Sequence, residues 1–210
     1  MLRVIIVDDH PIVRQGLKQI LSEEPDMTVF GEAQNSQEVL QLISEQDWDI
    51  VVLDITMPGR GGLDVLKEIK HERPKLPVLI LSIHPEDQYA VRALKAGASG
   101  YLTKESAPEE LVLAIRKILR GGKYVSSTLA EKLAFDLETE EKRPIHETLS
   151  DREYQVMLMI ASGKSTSVIA EEMALSMKTV STYRARILEK MKMKSNAELI
   201  RYAIKQNLVQ

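Results

Sequence analysis

Three short runs, Val4-Ile5-Ile6-Val7, Ile50-Val51-Val52-Leu53 and Val78-Leu79-Ile80-Leu81, are apolar at every position instead of at every second one. A strand with no polar face must be covered on both sides, which is the situation of a parallel sheet enclosed by helices. Weaker runs at Met27 to Phe30 and Ser99 to Leu102 bring the strand signals to five, and the segments between them carry helical spacing. Pro25, Pro74 and Pro77 punctuate the connections, while Asn35 with Glu38 and Ser106 with Glu109 have the spacing of helix-capping boxes. The pattern predicts a doubly wound α/β domain over residues 1–121.

Gly121-Gly122 ends that pattern. A helical stretch near Thr128 to Leu137 runs into a polar, proline-containing segment from Glu138 to Pro144, so residues 122–147 read as a helical linker and tether. Beyond it the strand signal disappears. Four helix-like segments follow, Ser150 to Ser162, Thr166 to Met173, Met177 to Met191 and Ala197 to Lys205, with Ser150/Glu153 and Ser195/Glu198 repeating the capping-box spacing. They predict a small all-α domain over 148–210.

Charge divides the chain at the same place. From Leu149 onward ten Lys/Arg face six Asp/Glu, a balance of +4, which leaves the first 148 residues at −7 within the whole-chain −3. The basic segment suits a polyanion, and the acidic one has another job. The absence of cysteine excludes a disulfide framework, thiolate zinc and a cysteine nucleophile, and it fits a cytoplasmic protein. The four histidines show no recurring ligand spacing, the apolar runs are too short to span a membrane, and no leader-like segment opens the sequence.

In an open parallel sheet ligands sit beyond the carboxyl ends of the strands. Asp8 and Asp9 close the first strand, Asp54 the third and Ser82 the fourth, and Lys104 follows the fifth. Three carboxylates at one mouth repel each other unless a cation neutralises them, and hard oxygen ligands favour Mg²⁺. A lysine and a divalent ion beside a carboxylate are equipment for phosphoryl transfer. One aspartate after one strand is more often a turn former or helix cap; the weight lies in the whole set meeting at one sheet edge.

The stretches Ile6-Val7-Asp8-Asp9-His10-Pro11, Leu53-Asp54-Ile55-Thr56-Met57-Pro58-Gly59, Leu81-Ser82 and Ala96 to Lys104 resemble the receiver domain of two-component response regulators, a flavodoxin-like, five-stranded fold. The resemblance implies that Asp54 accepts a phosphoryl group from the phosphohistidine of a sensor histidine kinase. It implies that Asp9, Asp54 and the backbone carbonyl of Thr56 bind Mg²⁺, with Asp8 helping through water. Lys104 would then pair with the phosphoryl oxygens, Ser82 would hydrogen-bond the phosphoryl group, and Tyr101 would change rotamer with the loop. The competing reading of Tyr101 is a half-buried packing residue on an edge strand. His84 and Thr56 stand where receivers tune the water that attacks the phosphoaspartate. Glu105 departs from the pattern, because many receivers carry a cis proline after the lysine.

In the second domain the segments around Ile169-Ala170-Glu171 and Ser176 to Ser181 have helix-turn-helix spacing. On the later helix Val180, Tyr183, Ile187 and Met191 form one apolar stripe, and Lys178, Ser181, Thr182, Ala185, Arg186 and Glu189 point away from it. Residues 149–209 resemble the LuxR-type four-helix domain, which with the receiver matches the NarL/FixJ class of response regulators. That resemblance implies a DNA-binding regulator of transcription and not an enzyme. Lys178 and Thr179 would hold phosphates, and Ser181, Thr182, Tyr183 and Arg186 would stand at the double-stranded promoter DNA. Leu199, Ile200, Ala203 and Ile204 would be core or the contact of a homodimer formed on phosphorylation or on DNA. Tyr183 replaces a common histidine and Ala185 a base-contacting lysine, so operator preference does not carry over. Two rivals were weighed. A dehalogenase-like or flavodoxin-like enzyme is disfavoured, since neither Asp8 nor Asp54 has an aspartate two residues on and the Asp8 to Pro11 loop lacks phosphate-cradling glycines. A phosphoacceptor whose helical domain binds protein is separable by the salt dependence of duplex binding.

Overall fold

A computed structural model describes residues 1–57, 61–138 and 144–209, with the side chains of 87, 132 and 135–138 outside the description. Pro58 and Gly59 of the receiver-like motif, and 139–143 of the polar linker, lie outside the described residues. The chain divides into two compact units, Met1–Glu138 and Thr139–Gln210.

In the first unit, strands β1 (Leu2–Val7), β2 (Met27–Ala33), β3 (Ile50–Asp54), β4 (Val78–Ser82) and β5 (Gly100–Thr103) alternate with helices α1 (Pro11–Ser22), α2 (Ser36–Glu45), α3 (Gly62–Glu72), α4 (Glu86–Lys95) and α5 (Ala107–Leu119). The sheet is wholly parallel, in the order β2-β1-β3-β4-β5. The all-apolar runs occupy its centre. Val4, Ile6, Val52, Leu79 and Leu81 face Leu17 and Leu21 of α1 and Leu111, Ala114, Ile115 and Ile118 of α5 in one cluster. The alternate residues turn to the opposite face, where α2 packs on β2, α3 on β3 and α4 on β5. Strand β2 runs three residues past its expected end because it pairs with the whole length of β1, through a register shift at Val4/Ile5.

Helix α6 (Ser127–Glu138) lies where the sequence places a tether, and it packs on α4 as part of the first unit. The turn that leads into it lies along β5: Tyr101 N–H donates to Tyr124 O at 2.9 Å, and Tyr124 N–H donates to Ser99 O at 3.0 Å. Gly100 allows that approach, since a Cβ there would stand 2.8 Å from the Tyr124 carbonyl oxygen.

The second unit opens with a 3₁₀ turn, Ile145–Thr148, followed by α7 (Asp151–Ala161), α8 (Thr166–Glu172), α9 (Met177–Lys190) and α10 (Asn196–Lys205). Ser150 and Glu153 form a complete capping box at α7. Asn35 and Ser195 cap their helices, but Glu38 and Glu198 reach back one residue further, to the backbone N–H groups of Gln34 and Lys194. The box expected at Ser106 does not form: its backbone is helical and its hydroxyl lies 2.8 Å from Thr103 Oγ1 instead. Ala174, between α8 and α9, has φ 52°, a left-handed turn that reverses the chain between the two helices. Among the described residues no helix is long and apolar enough to cross a membrane.

Candidate functional site

Strand order reverses between β1 and β3, and at such a point the carboxyl ends of the strands open a crevice. Register keeps these ends level: Val7 pairs with Leu53, Asp54 with Leu81 and Ser82 with Thr103. Asp8, Asp9, Asp54, Ser82 and Lys104 therefore end up at one edge. Asp8 and Ser82 are 0% exposed and Asp54 1%. Carboxylates this deep need partners. Lys104 Nζ lies 2.6 Å from Asp8 Oδ2 and donates to Asp54 Oδ2 at 2.8 Å. Asp54 Oδ1 accepts the Thr56 backbone N–H at 2.8 Å, and Asp8 Oδ1 accepts the His10 backbone N–H at 2.8 Å.

Burial pushes the Asp54 carboxyl above its ordinary value, against the pull of Lys104 and the Thr56 N–H. Burial pushes Lys104 down, but its bonds to Asp54 and Asp8 outweigh that and carry it above the usual lysine value. The ammonium is thus charged at neutral pH and serves as one internal cation between two buried acids. Gly62 makes the crevice floor possible. A Cβ there would stand 2.4 Å from the Asp54 carbonyl oxygen and 2.5 Å from Ile55 Cα, so a larger residue would push α3 off the end of β3.

Asp8, Asp9, His10 and Asp54 each bring one ligating atom within 4.8 Å of the others. Asp9 Oδ1 and Thr56 Oγ1 are buried with no hydrogen-bond partner. Oxygens buried without donors, beside more carboxylates than one lysine neutralises, fit a hard divalent cation.

Around the crevice, Ser82 Oγ accepts His84 N–H at 3.0 Å, and Tyr101 Oη donates to His84 O at 2.9 Å. Tyr101 is 0% exposed, which corrects the half-buried reading: the Tyr124 segment covers the strand that would otherwise form the edge. The His84 ring rests on Tyr89 of α4, with centroids 4.9 Å apart. The peptide after Lys104 is trans.

Sequence reasoning missed His10 and Arg14. Arg14 Nη1 donates to the Asp8 carbonyl at 2.7 Å and holds the end of β1 from α1. The spacing of the histidines from each other carries no signal, whereas the place of His10 directly after Asp8-Asp9 at a helix start does.

On α9, Val180, Ile187 and Met191, the residue after it, are buried, and Tyr183 is half-buried, so the expected apolar stripe narrows at that position. Lys178, Ser181, Thr182 and Arg186 are exposed along the other side, with Thr179 half-buried. Ser181 and Thr182 turn their hydroxyls onto the Met177 and Lys178 carbonyls. The other α9 cations are engaged elsewhere. Arg184 Nε donates to Asn196 Oδ1 at 2.7 Å, and Lys190 Nζ donates at 2.6 Å to Glu153, whose side chain is 4% exposed. Of the four α10 residues considered for a dimer contact, Leu199 and Ala203 are 0% exposed and belong to the core of their own unit. Ile200 is half-buried and Ile204 is 52% exposed.

A doubly wound sheet with an aspartate crevice, followed by a helix-turn-helix unit, defines a class, and comparison with known proteins identifies it. Residues 4–116 match the response regulator receiver domain, and residues 147–203 match the bacterial regulatory proteins of the luxR family. The chain belongs to the response regulators that join these two domains. The response regulator GacA of Pseudomonas aeruginosa is 36% identical over 210 residues, spanning 100% of this chain and 98% of that protein. A solved structure of the RcsB response regulator of Salmonella typhimurium aligns with TM-score 0.71 at 26% identity, over 98% of both chains. RcsB in complex with DNA aligns with TM-score 0.60 at 27% identity, over 96% of both chains.

Proposed function

We propose that this chain is a cytoplasmic, phosphorylation-dependent transcription factor, with a receiver over 1–121, a connecting segment over 122–147 whose helix α6 stays with the receiver unit, and a DNA-binding domain over 148–210. A sensor histidine kinase is the phosphodonor. An Asp54 carboxylate oxygen attacks the phosphorus of its phosphohistidine; the P–N bond breaks, the imidazole leaves and takes up a proton, and an acyl phosphate remains on Asp54. The observation that carries this reading is Lys104, seated at 2.6 Å from Asp8 and 2.8 Å from Asp54. It fixes the nucleophile and stands ready to pair with the oxygens of the incoming group. Asp8, Asp9, Asp54 and the Thr56 carbonyl would hold Mg²⁺, which supplies charge neutralisation on the transferring oxygens. Ser82 accepts a hydrogen bond from the loop that carries His84 and keeps its own O–H to donate to the phosphoryl group, while Tyr101 follows that loop through the His84 carbonyl. His84 and Thr56 set how long the acyl phosphate lasts, and His84→Ala should change the dephosphorylation rate.

The helical unit reads double-stranded promoter DNA as a homodimer. Lys178 and Thr179 sit at the start of α9, where free backbone N–H groups favour phosphate, and Ser181, Thr182 and Arg186 face the major groove with Tyr183 on the flank. RcsB, with the same two-domain plan, has been solved with DNA. Ile200 and Ile204 are the α10 residues left to meet a second copy. Intact mass after incubation with a small phosphodonor and Mg²⁺ tests the reading. Wild type should gain one phosphoryl group and bind duplex more tightly; Asp54→Asn should gain none and keep only weak, salt-sensitive binding. Equal stimulation of Asp54→Asn would refute it.

A further inference from the structure

His10 lies at the mouth of the crevice, with its backbone N–H donating to Asp8 Oδ1 at 2.8 Å and its ring Nδ1 within hydrogen-bond distance of the same oxygen. It precedes α1 with φ −91° and ψ 111° but makes no side-chain capping bond. It is no core residue either, since its side chain is 61% exposed. An ion pair this exposed would contribute little to stability. Yet the ring turns back over the carboxylates: Nδ1 is 3.0 Å from Asp9 Oδ1 and 3.3 Å from Asp8 Oδ1. Those separations have a chemical meaning. Ligands about 2.1 Å from an octahedral divalent ion stand roughly 3 Å apart at adjacent corners. Asp9 Oδ1 is also one of the buried oxygens that lack a hydrogen-bond partner, although Nδ1 is so near. Nδ1 is spaced from both oxygens as one ligand is from another, and Asp54 brings its own ligating atom within 4.8 Å.

The geometry points to His10 as an imidazole ligand of the cation held by Asp8, Asp9 and Asp54, so that the crevice favours a borderline ion such as Co²⁺ over Mg²⁺ more than an all-oxygen site would. This rests on the cation reading given above and goes beyond it. Carboxylate and carbonyl oxygens suit Mg²⁺ and Mn²⁺, whereas an imidazole nitrogen adds affinity along the series from Mn²⁺ to Co²⁺ and Ni²⁺. His10 would add to the hold on Co²⁺, and less strongly on Mn²⁺, and leave the hold on Mg²⁺ nearly unchanged. Because His10 is exposed and caps nothing, His10→Ala is expected to keep the fold.

The test uses the full chain without a histidine tag. Calorimetric titrations with Mg²⁺ and with Co²⁺ are made on wild type, His10→Ala and Asp9→Asn, and Mn²⁺-loaded protein is examined by pulsed electron paramagnetic resonance. His10→Ala should lower Co²⁺ affinity about tenfold and change Mg²⁺ affinity by less than about twofold. Wild type should show ¹⁴N modulation from one histidine, absent in His10→Ala. If Asp9→Asn weakens both cations while His10→Ala alters neither the Co²⁺ to Mg²⁺ ratio nor the nitrogen signal, His10 only hydrogen-bonds the carboxylates; the inference falls and the cation site stands. If Asp9→Asn leaves both cations bound as before, the cation reading fails and takes this inference with it.

Discussion

In the first unit two carboxylates, 0% and 1% exposed, share one lysine. On α9 of the second unit Lys178 and Arg186 stand in solvent beside hydroxyls folded back on their own helix. In the proposed function both regions handle phosphate, but they do it under opposite conditions. Burial makes each charge in the crevice depend on its neighbour, so the chemistry is local, stoichiometric and shielded from salt. Exposure makes the α9 charges independent and additive, and their attraction to a polyanion grows with number and falls with ionic strength. A covalent step needs the first arrangement, and reversible reading of DNA needs the second.

The sharpest way to break the comparison is to remove one lysine from each region. Lys104→Met leaves Asp8 and Asp54 buried without a cation and should cost the first unit about 3–5 kcal/mol in urea denaturation. Lys178→Met should stay within about 0.5 kcal/mol. The pH dependence follows from Asp54: a carboxyl raised in the folded state binds protons the unfolded chain does not, so Lys104→Met should regain stability as the pH falls and lose it as the pH rises through the folded value.

On α10, Leu199→Ala should cost about 2–5 kcal/mol, as for any filled core position, while Ile204→Ser should leave the monomer within about 0.5 kcal/mol and weaken paired binding to DNA. Equal losses from the two would contradict the burial that separates them.

Ionic strength sharpens the contrast without mutation. With about two exposed α9 cations per chain, Lys178 and Arg186, and two chains on the duplex, a roughly fourfold rise in salt should lower duplex affinity on the order of a hundredfold. The yield of phosphoryl adduct under the same change should move by less than about twofold, because the reacting groups are buried.

The smallest expected effect concerns Glu153, the acid of the second unit that breaks the rule of exposure. Burial pushes its carboxyl up, but Lys190 and the Ser150 N–H outweigh this and hold it below the usual value of 4.5. A depressed carboxyl stabilises the fold above its unfolded value and loses that contribution as the pH falls through the folded one. Glu153→Gln should cost about 1 kcal/mol at neutral pH and flatten the acid limb of the second unit's stability curve.

The architecture was legible because it rests on local patterns: unbroken apolar runs for the covered strands, and a Ser-x-x-Glu spacing at α7. The crevice was legible because strand ends carry chemistry in such sheets, and Asp8, Asp54, Ser82 and Lys104 each follow or close a strand. What could not be read depends on contacts distant in sequence. Tyr101 looked like an edge residue because nothing near it in the chain announces that Tyr124 covers the strand. Leu199 and Ala203 looked available for a partner because a helical stripe does not say which of its residues meets its own core. Nor does any local pattern announce that Lys190 is held by Glu153, 37 residues earlier.

The Tyr124 segment has a further effect. A sheet ends in two rows of unsatisfied backbone groups, each an invitation to a foreign strand. The turn before α6 occupies the β5 rim, beside Tyr101. The other rim, β2, carries a register shift against β1 and bears Glu32, paired with Lys18 and Arg14. A bent rim furnished with charge is a poor template for stacking. Each rim of the sheet thereby resists the addition of a foreign strand.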